Sequence, residues 1–135
     1  LNVTSLTSLT SLQCHSNEII VLDVTSLTNL TVLYCYSNEI IVLDVSLLTS
    51  LTQLRCYSNK ITALDLSASN LLTNVQIHSN ELTAATNSQA LVDVDTHGLS
   101  NGYFRYSIYG GGSLTTAGAA AVTSLQGKGW TIVVS

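Results

Sequence analysis

Apolar residues in the first part of the chain obey a short-range alternation. In Val32-Leu33-Tyr34-Cys35-Tyr36 a period of two turns Leu33 and Cys35 to one side and Val32, Tyr34 and Tyr36 to the other, the signature of a short strand. The stretches between such strands, for example Ile40-Ile-Val-Leu43-Asp-Val45, are β-branched and closely punctuated by Asn, Thr and Ser, too short for a stable helix. They predict an extended return path, with Leu43 and Val45 facing in and Asp44 facing out.

The pattern repeats. A shift of 21 residues lays Leu9-Thr-Ser-Leu12-Gln-Cys14-His-Ser-Asn17-Glu-Ile19 over Leu30-Thr-Val-Leu33-Tyr-Cys35-Tyr-Ser-Asn38-Glu-Ile40. It then reaches Leu51, Leu54, Cys56, Asn59 and Ile61, and finally Leu72, Val75, Ile77, Asn80 and Leu82, giving four copies and a leading part-copy. No single unit can bury its own apolar side. Strands from successive units must therefore stack in parallel, at about 4.8 Å, to build one continuous core.

Written as L-x-x-L-x-C-x-S-N-x-I-x-x-L-D-V, the unit resembles the leucine-rich-repeat family in its short bacterial form, with Cys where a third Leu is commoner. The resemblance covers Leu1 to about Thr83 and implies a β-rich solenoid of stacked parallel short strands. Ser69 departs from it, standing where Leu27 and Leu48 stand in earlier copies, so the last turn is expected to repack with Leu71 or Leu72. Leu1 falls inside a repeat and no basic-then-apolar leader is visible, which suggests a piece of a longer chain.

After Leu82 the rhythm stops. Ser88 to Thr96 reads as a short helix after an Asn87 or Ser88 N-cap, ending near Gly98. Tyr103 to Ile108 reads as a strand, Gly110 to Gly112 as a loop, Thr115 to Leu125 as an alanine-rich helix, and Trp130 to Val134 as a closing strand. The string of Asn101-Gly-Tyr, Gly110-Gly-Gly, Leu114-Thr-Thr-Ala-Gly118 and Gly127-Lys-Gly-Trp130 is similar to terminal segments of some bacterial and phage repeat proteins. It implies a helix-strand-helix-strand cap in which Trp130 and Phe104 cover the last rung. The expected division is a solenoid over residues 1–83 and a capping segment over residues 84–135 that continues it.

Stacking places equivalent residues in columns. Asn17, Asn38, Asn59 and Asn80 can satisfy backbone groups at the bend after each strand. Cys14, Cys35 and Cys56 take inward positions as small buried hydrophobes. Neighbouring rungs bring their Cα atoms within disulfide range, but an odd number in a packed interior favours reduced, inert thiols. Asp23, Asp44 and Asp65 form a stack of carboxylates that must be compensated, either by Thr25, Ser46 and Ser67 two positions on or by calcium between rungs.

Composition narrows the partners. Charged residues are only 9% of the chain, the net charge is −4, and Pro and Met are absent. Such a chain offers no electrostatic footprint for nucleic acid or anionic lipid, and its apolar runs are far too short to insert in a membrane. His15 and His78 occupy one repeat position three rungs apart, about 14 Å, and cannot share a metal ion. His97 has no spaced partner and reads as a surface residue near a helix end. Gly110 to Gly112 lack the lysine of a phosphate-binding loop, and the serines lack a nucleophile-elbow setting. No catalytic, cofactor-binding or metal residue is therefore assigned, and no enzyme is expected.

The informative surface is the outward face of the strands. Its columns are Ser11, Val32, Gln53 and Asn74, then Gln13, Tyr34, Arg55 and Gln76, then His15, Tyr36, Tyr57 and His78, the last wholly aromatic. Tyrosine and arginine combine contact area with polar tips, the chemistry of interface hot spots. The same residues also suit any exposed strand, where they stabilise one another across rungs. Gln13, His15, Tyr34, Tyr36, Arg55, Tyr57, Gln76 and His78 are thus the candidate partner-binding residues. They would serve a non-catalytic module that binds a protein or glycan at a bacterial cell surface or on a phage appendage. The alternative is a structural subunit that self-associates into a fibre or coat through its open repeat edge.

Overall fold

The computed structural model describes residues 1–135. Four repeat strands, β1 (Ser11–Gln13), β2 (Val32–Tyr34), β3 (Gln53–Arg55) and β4 (Asn74–Gln76), are followed by helix α1 (Ala84–Thr96), strand β5 (Tyr103–Tyr106), helix α2 (Thr116–Gly127) and strand β6 (Thr131–Val134). All six strands lie in one parallel sheet in chain order, and neighbouring repeat strands pair in register 21 positions apart, Leu12 with Leu33, Leu33 with Leu54 and Leu54 with Val75. The fold is a leucine-rich-repeat solenoid that ends in a small α/β unit.

The regular strands are three residues long, not five, because the backbone bends just after them. Pairing between rungs continues through the bend: Cys14 N–H donates to the Tyr34 carbonyl (2.9 Å) and Ser16 N–H to that of Tyr36 (3.0 Å). The next step is a left-handed residue in every copy, at Ser16, Ser37, Ser58 and Ser79, with φ between 53 and 57°. On the far side, two successive tight turns close each rung. Leu27 N–H donates to the Val24 carbonyl and Leu30 N–H to that of Leu27, both at 2.9 Å. Those turns explain why leucines recur every three residues there, and Val24, Leu27, Leu30, Leu33 and Cys35 are all fully buried.

Ser69 keeps the buried place of its leucine counterparts, its hydroxyl donating to the Leu48 carbonyl at 3.4 Å. Leu72 is buried as Leu51 is one rung earlier, and Leu71 is half exposed, so Leu71 does not repack the turn.

The carboxy-terminal segment differs in detail from its sequence reading. Helix α1 starts four residues earlier than Ser88: Thr83 is its N-cap, accepting from the Thr86 amide. Asn87 and Ser88 lie inside the helix, where the Asn87 amide donates to the Leu82, Thr83 and Ser107 carbonyls. Helix α2 is capped by Thr115 and crosses α1 closely at Gly118, where a Cβ would come within 2.8 Å of the Ser88 Cα. Phe104 does not sit over the last rung as a lid. It is the inward residue of β5, opposite Val75, so it adds a further layer to the core. Trp130 precedes β6, buried against Gly102 with its indole N–H on the Leu99 carbonyl (2.8 Å). No helix is long and apolar enough to cross a membrane.

Candidate functional site

The sheet face is built from alternation and held by three ladders behind it. In the asparagine ladder, the Asn38 amide donates to the carbonyls of Cys14 (3.1 Å) and Cys35 (3.0 Å), while its Oδ1 accepts from the Ile19 amide of the previous rung (3.0 Å). Asn59 and Asn80 repeat this arrangement. Asn38, Asn59 and Asn80 therefore bind two rungs together as well as closing their own bends, which is more than the local role expected of them. A second ladder had no sequence signal beyond a recurrent threonine: the Thr31 hydroxyl donates to the Thr10 carbonyl (2.9 Å), and Thr52 to that of Thr31 (3.0 Å). The third is the cysteine column, free and buried as expected. Burial pushes the Cys56 thiol up to about 12 and raises Cys35 and Cys14 as well, so these sulfurs stay protonated and inert at neutral pH.

Asp23, Asp44 and Asp65 lie on the return path. Asp23 Oδ1 accepts from the Thr25 amide (3.0 Å) and hydroxyl (2.7 Å), Asp44 Oδ1 from those of Ser46 (2.9 and 2.7 Å), and Asp65 Oδ1 from the Ser67 amide (2.9 Å). The hydroxyl and amide donors hold all three carboxyls below the usual carboxylate range. These hydrogen bonds are the hydroxyl compensation the spacing predicts. No group of three or more His, Cys, Asp or Glu side chains is arranged to hold a metal ion.

On the outward face, the aromatic column is one continuous stack. Ring centroids lie 4.3 Å apart from His15 to Tyr36, 4.4 Å from Tyr36 to Tyr57 and 4.6 Å from Tyr57 to His78, with interplanar angles of 5, 8 and 14°. The parallel strand spacing enforces this geometry, since identical positions on neighbouring rungs are nearly one ring thickness apart. In the adjacent column the Arg55 guanidinium lies 4.6 Å above the Tyr34 ring, and the Tyr34 hydroxyl donates to Gln53.

Tyr34, Tyr36, Arg55, Tyr57 and Gln76 are half-buried, His15 likewise, and Gln13 is exposed at the first rung. His78 is the exception: it ends the stack with only 7% of its surface exposed, and its Nδ1 has no hydrogen-bond partner. Burial, and secondarily the Arg105 charge, hold its imidazole below the ordinary value. The α/β unit provides that cover, and it also lengthens the face. Strand β5 pairs with β4 so that Tyr103 joins the Asn74 column and Arg105 the Gln76 column. Neither was legible as a face residue: the gap from Gln76 to Arg105 is not the repeat length, and only tertiary pairing sets that register. The alternation in Tyr103-Phe104-Arg105-Tyr106 was the one available hint.

Comparison with solved structures places this architecture among repeat proteins. The crystal structure of an internalin (inlF) from Listeria monocytogenes superposes with a TM-score of 0.73 at 22% identity, over 96% of this chain and 36% of that one. The functional domain of InlJ from Listeria monocytogenes aligns over 98% of this chain and 40% of its own at 25% identity, with a TM-score of 0.45. This chain thus spans somewhat over a third of the length of either. No family model matches the sequence and no curated protein matches it. Repeat, register and superposition agree on a leucine-rich-repeat fold, in the architecture seen in an internalin.

Proposed function

We propose that this chain is a non-catalytic binding module that holds a protein partner on the outward face of its sheet, as part of a bacterial cell-surface protein. The observation that carries the proposal is the face itself: stacked tyrosines, an arginine over a tyrosine ring and a row of carboxamides on a backbone held rigid by the ladders behind it. Pre-ordered side chains of this kind lose little entropy on binding. A protein partner suits the face better than a glycan. The rings of the ladder turn their planes on one another and Arg55 covers that of Tyr34, so a sugar meets mainly ring edges.

The test is binding of the labelled chain to parallel arrays of folded extracellular protein domains and of glycans. Capture on the protein array should fall more than tenfold for the Tyr34→Ser, Tyr36→Ser, Tyr57→Ser variant. Equal capture by parent and variant would sink the proposal, and capture confined to glycans would replace the partner class.

A further inference from the structure

The charges of this protein are sorted by face. Glu18, Glu39 and Glu81 follow the bends and Asp23, Asp44 and Asp65 line the return path, and the α1 carboxylates Asp93 and Asp95 lie off the strands, so no strand residue is acidic. Of the four basic residues, Lys60 pairs with Glu39 (3.0 Å) and Lys128 with Asp95 (2.6 Å). The remaining two, Arg55 and Arg105, stand on the outward face with no ion pair, and the Nε of each is buried without a hydrogen-bond partner. They occupy one column, separated by Gln76, at two strand spacings or about 10 Å. In the neighbouring column the buried His78 keeps an Nδ1 without a hydrogen-bond partner. An acidic protein has thus kept its unpaired positive charge, and an orphaned imidazole nitrogen, on one patch.

We infer that Arg55, Gln76 and Arg105 form a clamp for an acidic segment of a protein partner, two carboxylates being taken by the two guanidiniums and the backbone between them by the Gln76 carboxamide. The inference rests on the sheet face being the binding surface and specifies the chemistry it selects. Guanidinium forks match carboxylates in two-point geometry, and the neighbouring tyrosines lower the local dielectric that strengthens such pairs. The clamp joins the two parts of the chain, with Arg55 on a repeat strand and Arg105 on β5, so it exists only when the α/β unit is docked.

Fluorescence anisotropy with fluorescein-labelled decaglutamate, measured on the full chain at low salt, tests this. Binding should saturate, weaken at least tenfold in Arg55→Gln and in Arg105→Gln, and be unaffected by Lys60→Gln, which removes the same charge away from the face. Circular dichroism of each variant checks that the fold is retained. Absence of saturable binding, or equal weakening by Lys60→Gln, overturns the clamp. If the arginine variants bind as the parent does while Tyr36→Ser with Tyr57→Ser does not, the face binds through its tyrosines and the acidic specificity fails alone. Should all variants bind equally, the face itself is wrong. A sulfated heparin decasaccharide that binds in an arginine-dependent way where decaglutamate does not would overturn the peptide and assign an acidic glycan.

Discussion

The side-chain amide of Asn59 donates to the carbonyls of Cys35 and Cys56 at 3.0 Å each, and its Oδ1 accepts from the Ile40 amide, all within the buried interior. Asn17 has the same identity and the same place in the repeat, yet it is exposed and reaches only the Cys14 and His15 carbonyls of its own rung. Removing the amide at position 59 leaves buried donors and acceptors without partners, whereas water replaces it at position 17. Chemical denaturation should therefore show Asn59→Ala losing about 3 kcal/mol and Asn17→Ala less than about 1 kcal/mol. Comparable losses would mean that the cross-rung bonds add nothing to those within each bend. The column was legible because four asparagines fall in register; that Asn38, Asn59 and Asn80 each span two rungs was not, since the partner carbonyl lies 24 residues away and is met only through stacking.

Among the elements, the helices and strands after the repeats gain their positions from close approach. Gly102 has room for no side chain, because a Cβ there would lie 2.5 Å from the Trp130 ring. Gly102→Ala must displace that ring, and overpacking of this kind costs about 1–3 kcal/mol. Trp130 is the one tryptophan, so its emission should shift to the red while the repeat strands keep their circular dichroism. An unshifted emission maximum would show that the indole is not locked against Gly102. The local pattern placed α2 and β5 with each end within two residues of its observed position, because alanine-rich and alternating patterns are local. The start of α1 was misplaced: Asn87 and Ser88 look like caps in sequence, but Asn87 donates to the Leu82, Thr83 and Ser107 carbonyls and Ser88 to that of Ala84, and Thr83 caps instead. Capping residues and buried polar residues share the same chemistry, and only packing separates them.

For the molecule as a whole, stability should be graded along the axis. Leu12 and Asn17 of the first rung are less buried than Leu33 and Asn38 of the second, and Leu6 is half exposed. In a stack of nearest-neighbour interfaces, a rung with one neighbour opens more readily than a rung with two. Amide exchange in the monomer should therefore be fastest around β1 and slowest around β2 to β4. If copies associate through the open rung, protection at β1 should rise with protein concentration; a flat dependence would discard that mode of assembly. What the sequence by itself determined is whatever repeats: the rung, its inward leucines and cysteines, its asparagine column and the outward tyrosines all follow from a period that stacking must respect. Tertiary structure alone decided how the non-repeating end joins that stack, and hence that Arg105 lines up with Arg55 and that His78 is covered, because a register between unlike segments is set by packing in space and leaves no periodic trace along the chain.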